Sequence, residues 1–227
     1  MGIMAEAMKF HRSESDASRA WLIGGTLLLA TVVIGVAQPA LSLIPLGGNI
    51  RPTLFSAALL VFAFGIRGSG SVTARRPLGT IALTALAGWL FLGSVLQDIS
   101  ASNFSNDPLP AGLFAFGYVD SFVKFALALV AVMQIARAGV VPAPWKWVPA
   151  GLVGAASVSW LLIEIVSAGS TQGFGLGTVA LLSVDALVRI GGTVLLGVLA
   201  IVLADRARRV HLRSADEVVR SPYGPAR

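Results

Sequence analysis

"LGTVALLSVDALVRIGGTVLLGVLAIVLA", Leu176 to Ala204, holds one acid and one base, Asp185 and Arg189, and is otherwise apolar, small or hydroxylic. It is longer than the roughly 20 residues an α-helix needs to cross the hydrocarbon of a bilayer. The run stops at "DRARR", Asp205 to Arg209, where a cluster of cations fixes one end of a span at a membrane surface. Read as a membrane span, it decides the fold class.

Five more apolar runs precede it, at Arg19 to Gln38, Pro52 to Ile66, Leu78 to Gln97, Leu113 to Ala136 and Val148 to Ser167. The chain is therefore expected to be all-α, a polytopic integral membrane protein with six transmembrane helices in a compact bundle spanning residues 18–206. A polar segment, 1–17, comes before the bundle and a basic tail, 207–227, follows it. The second run is short, so its flank "SLIPLGGNIRP", Ser42 to Pro52, is expected to lie at the interface or to re-enter. "MGIMAEAMKF" suggests a short interfacial helix, and "RSADEVVRSPYGPAR", Arg213 to Arg227, a fraying end.

Composition agrees. The 227 residues are 56% hydrophobic and 12% charged, with a mean hydropathy of +0.81, outside the range of soluble domains. With no cysteine, and its two histidines, His11 and His211, in the polar ends, the chain offers no thiolate or intramembrane imidazole ligand. No metal or cofactor is expected. The net charge of +6 is explained by topology rather than by nucleic acid, because the basic residues flank alternate ends of the apolar runs.

Lys9, Arg12 and Arg19 precede run one. Arg67, Arg75 and Arg76 separate two from three, Arg137 and Lys146 separate four from five, and Arg206, Arg208, Arg209, Arg213, Arg220 and Arg227 follow six. By the positive-inside rule both termini are cytoplasmic, and the plasma (inner) membrane is the expected location. Trp21, Trp145 and Trp147 fall at the same interface, whereas Trp89 and Trp160 lie deeper, as packing residues. "GVAQPALS", Gly35 to Ser42, has the small residues of a peptidase site, but the length of run one and the acids Glu6, Glu14 and Asp16 ahead of it favour a retained anchor.

A parallel duplication is a further reading. Val119, Asp120, Val123 and Lys124 align with Val184, Asp185, Val188 and Arg189, and the preceding runs each carry Trp-Leu, at Trp89 and Trp160. Runs three and four would then repeat as five and six about an axis along the membrane normal. The alternative is chance alignment of Ala, Val and Leu.

"VDSFVK" and "VDALVR" each set a carboxylate and a cation one helical turn apart within an apolar run. Ala128, Ala131 and Gln134 continue the first pair's stripe, Gly192 continues the second, and Glu164, Gln97 and Asp98 join them in the same half. Isolated charges there cost about 2.5–3.5 kcal/mol each on the lenient insertion scale, so they are expected to face one another or a polar vestibule. One reading makes each Asp the neutralising partner of its own cation, locking helix register. The other makes Lys124 and Arg189 ligands for a solute or anion, with Asp120, Asp185 and Glu164 completing the pocket and Arg51, Gln97, Asp98 and Gln134 as secondary members. In that reading Glu164 is the first candidate for protonation, since its own helix holds no cation three or four residues away.

Other patterns have plainer accounts. Gly151, Ala155 and Ser159, and Thr80, Thr84 and Gly88, are small-residue lines expected at close helix contacts. "GFGLG", Gly173 to Gly177, lacks the Lys and Ser/Thr of a phosphate loop and reads as a turn. Asn103-Phe104-Ser105 is a glycosylation sequon, relevant only in a eukaryotic secretory pathway. Ser121 lies three residues from Lys124, which is no evidence for a catalytic dyad, so no enzyme activity is expected. A small-solute or ion transporter fits a charged pocket among six helices. The alternative is a non-catalytic accessory or sensor subunit bound to another membrane chain, its ion pairs purely structural. The bilayer is the common partner in both.

Because the chain has no cysteine, topology can be read with single introduced thiols. Ser69→Cys and Ser221→Cys should react with an impermeant reagent only from the side of the basic loops, and Ser105→Cys and Ser170→Cys only from the other. A shared side for Ser69→Cys and Ser105→Cys would remove one of the six crossings.

Overall fold

The structure is a computed structural model and describes residues 2–41, 47–66, 71–73, 76–103, 111–139, 141, 145–169 and 176–220. Six helices account for nearly all of them: α1 (Gly2–Leu41), α2 (Ile50–Phe64), α3 (Pro77–Asn103), α4 (Ala111–Ala138), α5 (Val148–Gly169) and α6 (Leu176–Arg220). All six contain stretches long and apolar enough to cross a membrane.

Helix starts and stops follow local chemistry. Pro52, Pro77 and Pro149 sit in the first turns of α2, α3 and α5, where a missing N–H costs nothing because no intrahelical acceptor awaits it. Gly65 and Gly139 follow α2 and α4 with φ of 67°, a left-handed conformation that stops a helix at little cost only for glycine. At Gly65 the N–H donates back to the Val61 carbonyl at 2.8 Å.

Three expectations change. The N-terminal segment forms no separate interfacial helix, because α1 runs unbroken from Gly2 with Pro39 in its last turn. Charged, good helix formers simply extend the span. Likewise α6 continues to Arg220, so only Ser221 to Arg227 of the expected fraying end lie outside the described residues. The flank of the second run enters α2 through a single 3-10 turn, Gly47–Asn49, and a candidate span runs from Gly47 to Phe64; Ser42 to Leu46 lie outside the described residues.

Each helix packs on its neighbours in the chain and α6 closes on α1, giving a ring in sequence order. Among the described residues, no two helices that are not ring neighbours approach within 8 Å between Cα atoms. Among the described residues the ring therefore has no central helix.

Its closing contact is a crossing of α1 and α6. A Cβ built on Gly25 would stand 2.8 Å from the Gly197 carbonyl oxygen, and one built on Gly197 would stand 3.1 Å from the Gly25 carbonyl oxygen. A Cβ at Gly25 would force the backbones apart, and one at Gly197 would require its neighbours to give by a few tenths of an ångström. Toward the far end, opposite the basic loops, side chains on the two facing sides are more open. Val36 continues the α1 face of Gly25 and Leu29 yet is 75% exposed, and Ile190 on the matching α6 face is 43% exposed.

Neighbour contacts also fix which way each helix faces. Side chains advance about 100° per residue, so the two contact directions divide each helix into a narrow inner arc and a wide outer one. On α6, Gly192 meets Leu152 of α5 while Gly197 meets α1, and the narrower arc between holds Asp185, Arg189 and Thr193. Leu187, 76% exposed, lies on the outer arc. On α4, Asp120 and Gln134 mark the α3 side and Tyr118 the α5 side, which leaves Ser121, Lys124 and Ala128 inward and Phe122, 71% exposed, outward.

At the basic end a short buried plug packs against α2 and α3. Ser71, Val72 and Thr73 are all buried, and Thr73 is the largest fully buried side chain among the described residues. Ser71 Oγ donates to the Ala63 carbonyl at 2.7 Å, and hydroxyls link Ser71 to Thr73 and Thr73 to Thr80, each at 3.0 Å. A Cβ on Gly79 would meet Thr73 Cγ2 at 2.8 Å and Gln134 Cβ at 3.0 Å. Beside this plug lies the apolar core of Ala63, Ala82, Leu83 and Ala131.

The small-residue lines expected at helix contacts are not where the helices touch. Nothing lies within 4 Å of a Cβ built on Gly151 or Gly88, and Gly151 and Ala155 are exposed. Of that α5 line only Ser159 is buried. Gly25→Leu and Gly197→Leu should each lower stability in detergent by at least about 1–3 kcal/mol, the usual cost of overpacking, whereas Gly88→Leu and Gly151→Leu should stay near wild type in thermal unfolding. Equal losses in all four would show that the ring does not close at Gly25 and Gly197.

Candidate functional site

Both sequence-identified pairs form. Lys124 Nζ donates to Asp120 Oδ2 at 2.6 Å, and Arg189 Nε donates to Asp185 Oδ2 at 2.6 Å. The three ion pairs among the described residues all join positions four apart in one helix, the third being Arg209 with Asp205 in the basic extension of α6. None bridges two helices. Lys124 and Arg189 face inward from α4 and α6, which are separated in the ring by α5.

What surrounds the two pairs differs. Asp120 Oδ1 accepts the indole N–H of Trp89 at 2.8 Å, so both carboxylate oxygens have donors and α3 is tied to α4. Gly93 on α3 lies beside the same carboxylate, where a Cβ would make only ordinary contact, 3.8 Å from Asp120 Oδ1. Asp185 Oδ1 is buried and has no hydrogen-bond donor among the described residues. Its cation is also the more open, with the Arg189 side chain 52% exposed against 36% for Lys124.

Trp89 is thus more than the packing residue expected of it. The missed signal was chemical: an indole deep in an apolar helix needs an acceptor for its N–H, and within its run's neighbours Asp120 is the acid at matching depth.

Glu164 has no cation three or four residues away, but it is not isolated. Its Oε2 accepts the Tyr118 hydroxyl at 3.3 Å, and Tyr118 packs edge-on against Trp160 with ring centroids 6.4 Å apart. These aromatic contacts hold α4 against α5. Glu164 is therefore part of the α4–α5 seam as well as a carboxylate within an apolar helix.

The secondary residues divide. Asp98 accepts from the Asn49 side chain, joining the end of α3 to the turn before α2. Arg51 lies against Gly35 of α1, where a built Cβ would stand 3.3 Å from its Nε. Gln38 Nε2 reaches the Gly48 carbonyl at only 3.5 Å, and its Oε1 is buried without a partner among the described residues. Gln97 is exposed on α3, and Gln134 packs by the plug near Gly79, at the basic end and away from the ion pairs. Gln134 is therefore not part of one site with Lys124, because the stripe from Asp120 runs the length of α4.

Scattered hydroxyls are mostly spent on their own helices. Thr193 donates to the Arg189 carbonyl at 2.8 Å, Ser183 to Val179 at 2.9 Å and Ser159 to Ala155 at 3.0 Å. Such bonds satisfy an alcohol in an apolar setting. Among the described residues, no group of three or more His, Cys, Asp or Glu side chains could hold a metal ion.

Removing the indole donor tests the pinned pair. Trp89→Phe should destabilise the protein by about 1–2 kcal/mol, the range for a hydrogen bond to a charged group lost inside a membrane-type bundle. In combination with Asp120→Asn, which also unpairs Lys124, the total loss should fall short of the sum of the two single losses. Strictly additive losses in that double-mutant cycle would mean the two side chains do not share a bond.

No protein-family model, curated protein or solved structure matches the chain. The functional reading rests on the geometry alone.

Proposed function

We propose that the protein is a multi-pass membrane protein of the plasma (inner) membrane, its termini cytoplasmic, that admits a small solute or ion into its ring from the far end, as a small permease does. Lys124 and Arg189 are the charges that meet the solute. The supporting observation is the position of Arg189. It lies roughly 20 Å by helical rise from either end of the apolar run Leu176 to Ala204, close to the middle of the hydrocarbon. An Arg there is costly against lipid tails. Its side chain is half exposed and its helix direction is inward, so the exposure is to the interior of the ring.

The arrangement of hairpins also supports the duplication reading. α1–α2, α3–α4 and α5–α6 follow one another around the ring, as a parallel repeat about an axis along the membrane normal would. Asp120 with Lys124 and Asp185 with Arg189 then occupy equivalent places in two of the units.

One observation favours the accessory-subunit reading. Only 11% of the α4 span and 6% of the α5 span is buried, against 28% for α1 and α3. Those faces suit a second membrane chain. The two readings separate by accessibility and by purification: a stoichiometric partner seated on α4 and α5 belongs to the subunit reading.

Single thiols test the solute path. Ser121→Cys and Thr193→Cys, inner-arc positions, should react with a membrane-impermeant reagent from the far side, and Phe122→Cys and Leu187→Cys should not. Labelling at Thr193→Cys should also slow solute-driven swelling of proteoliposomes. Unreactive thiols at both inner positions would mean that no hydrated path reaches Arg189.

A further inference from the structure

Two pairs of the same design sit at corresponding places in α4 and α6, and one is complete while the other is not. Asp120 has a donor on each oxygen, Lys124 on one and Trp89 on the other. Asp185 has Arg189 on Oδ2, while Oδ1 is buried and meets no donor among the described residues. Ionised carboxylates accept only, so a buried carboxylate oxygen facing no donor is an unfavourable place for the second half of that charge.

A proton is the one ligand that needs no further space there. Once Oδ1 carries it, Asp185 is neutral and the Arg189 guanidinium is no longer compensated by its own helix. Arg189 then stands as a net positive charge in the middle of the apolar run, half exposed and inward, its contact to Asp185 made through Nε. A planar guanidinium in that state is matched by a carboxylate, which accepts two parallel N–H bonds. We propose that Asp185 and Arg189 form a proton-coupled carboxylate site: uptake of one proton at Asp185 Oδ1 accompanies binding of one monocarboxylate at Arg189, and loss of either releases the other. The step moves one proton and one anion together and forms no covalent bond.

The charged groups around Asp185 do not supply an alternative. On its own helix Arg189 is the nearest, with Asp205 five turns away in the basic extension. On α1, Ala20 to Leu41 contain no titratable side chain. On α5 the one acid is Glu164, on the edge toward α4, where Tyr118 donates to it. Lys124 is held by Asp120 on α4. The carboxylate has two sources of the same chemistry, a free solute or the head of a bilayer-borne acid.

This inference narrows the transport reading and rests on it for the route, though the site itself can be tested by binding alone. The full chain in detergent is titrated calorimetrically with propionate between about pH 8 and about pH 6, in buffers of different ionisation heat. Wild type should take up about one proton per propionate, so affinity rises about tenfold for each unit the pH falls. Asp185→Asn should bind propionate with no proton uptake and no pH dependence, and Arg189→Gln should weaken binding by about tenfold to a hundredfold. Asp120→Asn should leave the proton count unchanged. Decanoate binding much more tightly than propionate assigns the bilayer as source, and similar affinities assign a solute. No propionate binding by wild type, pH-independent binding, or an unchanged proton count in Asp185→Asn each overturns the proposal. Proton-linked binding without flux would discard transport and keep the site; flux indifferent to Asp185 would do the reverse.

Discussion

Ring closure depends on the approach of α1 to α6 at Gly25 and Gly197. The other five seams join helices adjacent in the chain, so short connections already hold those partners near one another. The first and last helices have no such help. They meet through backbone contact at two glycines, and in a lipid setting, where apolar burial between helices adds little, close packing of this kind is the main attraction available. This contact lies toward the basic end, about two to three helical turns along α6 from Asp185 and Arg189.

Electrostatics follow from the ring. Helices that touch only two neighbours retain an inner arc, and an inner arc is where a charge in a greasy helix is tolerable. The i,i+4 pairing lowers the cost further without binding one helix to the next, so neither pair explains why α4 and α6 sit where they do. That work is done at one pair by Trp89 and at the α4–α5 seam by Tyr118, Trp160 and Glu164. A salt bridge confined to one helix contributes to the register of a bundle only through a third group, and only Asp120 has one.

Much of this was legible in the sequence because the signals are local. Apolar length marks the spans, Pro marks three helix starts, and four-residue spacing marks the ion pairs. The ring was not legible. Which glycine meets which depends on helix rotation, and α1 and α6 are at opposite ends of the chain. Gly25 and Gly197 carry no spacing that separates them from Gly88 or Gly151, which face open space. The Trp89–Asp120 bond was half legible: the need for an acceptor is written in the indole, but its identity required knowing that α3 and α4 place those residues at one depth. The inward fold of Ser71 to Thr73 was hidden for the opposite reason, since short polar residues between basic ones read as an ordinary surface loop.

The two ends of the ring are built differently. Toward the far end, inward charges lie roughly halfway along the helices. Toward the basic end, Ser71, Val72 and Thr73 are buried, with Ser71 and Thr73 hydrogen-bonded to each other, Ser71 to Ala63 and Thr73 to Thr80. Hydroxyl bonds between neutral groups are individually modest, and the plug is tied to α2 by single bonds from Ser71 Oγ and Val72 N–H. The same segment is tied to α3 through Thr73, whose hydroxyl pairs with Thr80 and whose carbonyl accepts the Arg76 N–H. The basic end is therefore held by hydrogen bonds that reach two helices, whereas each ion pair of the charged half is confined to one.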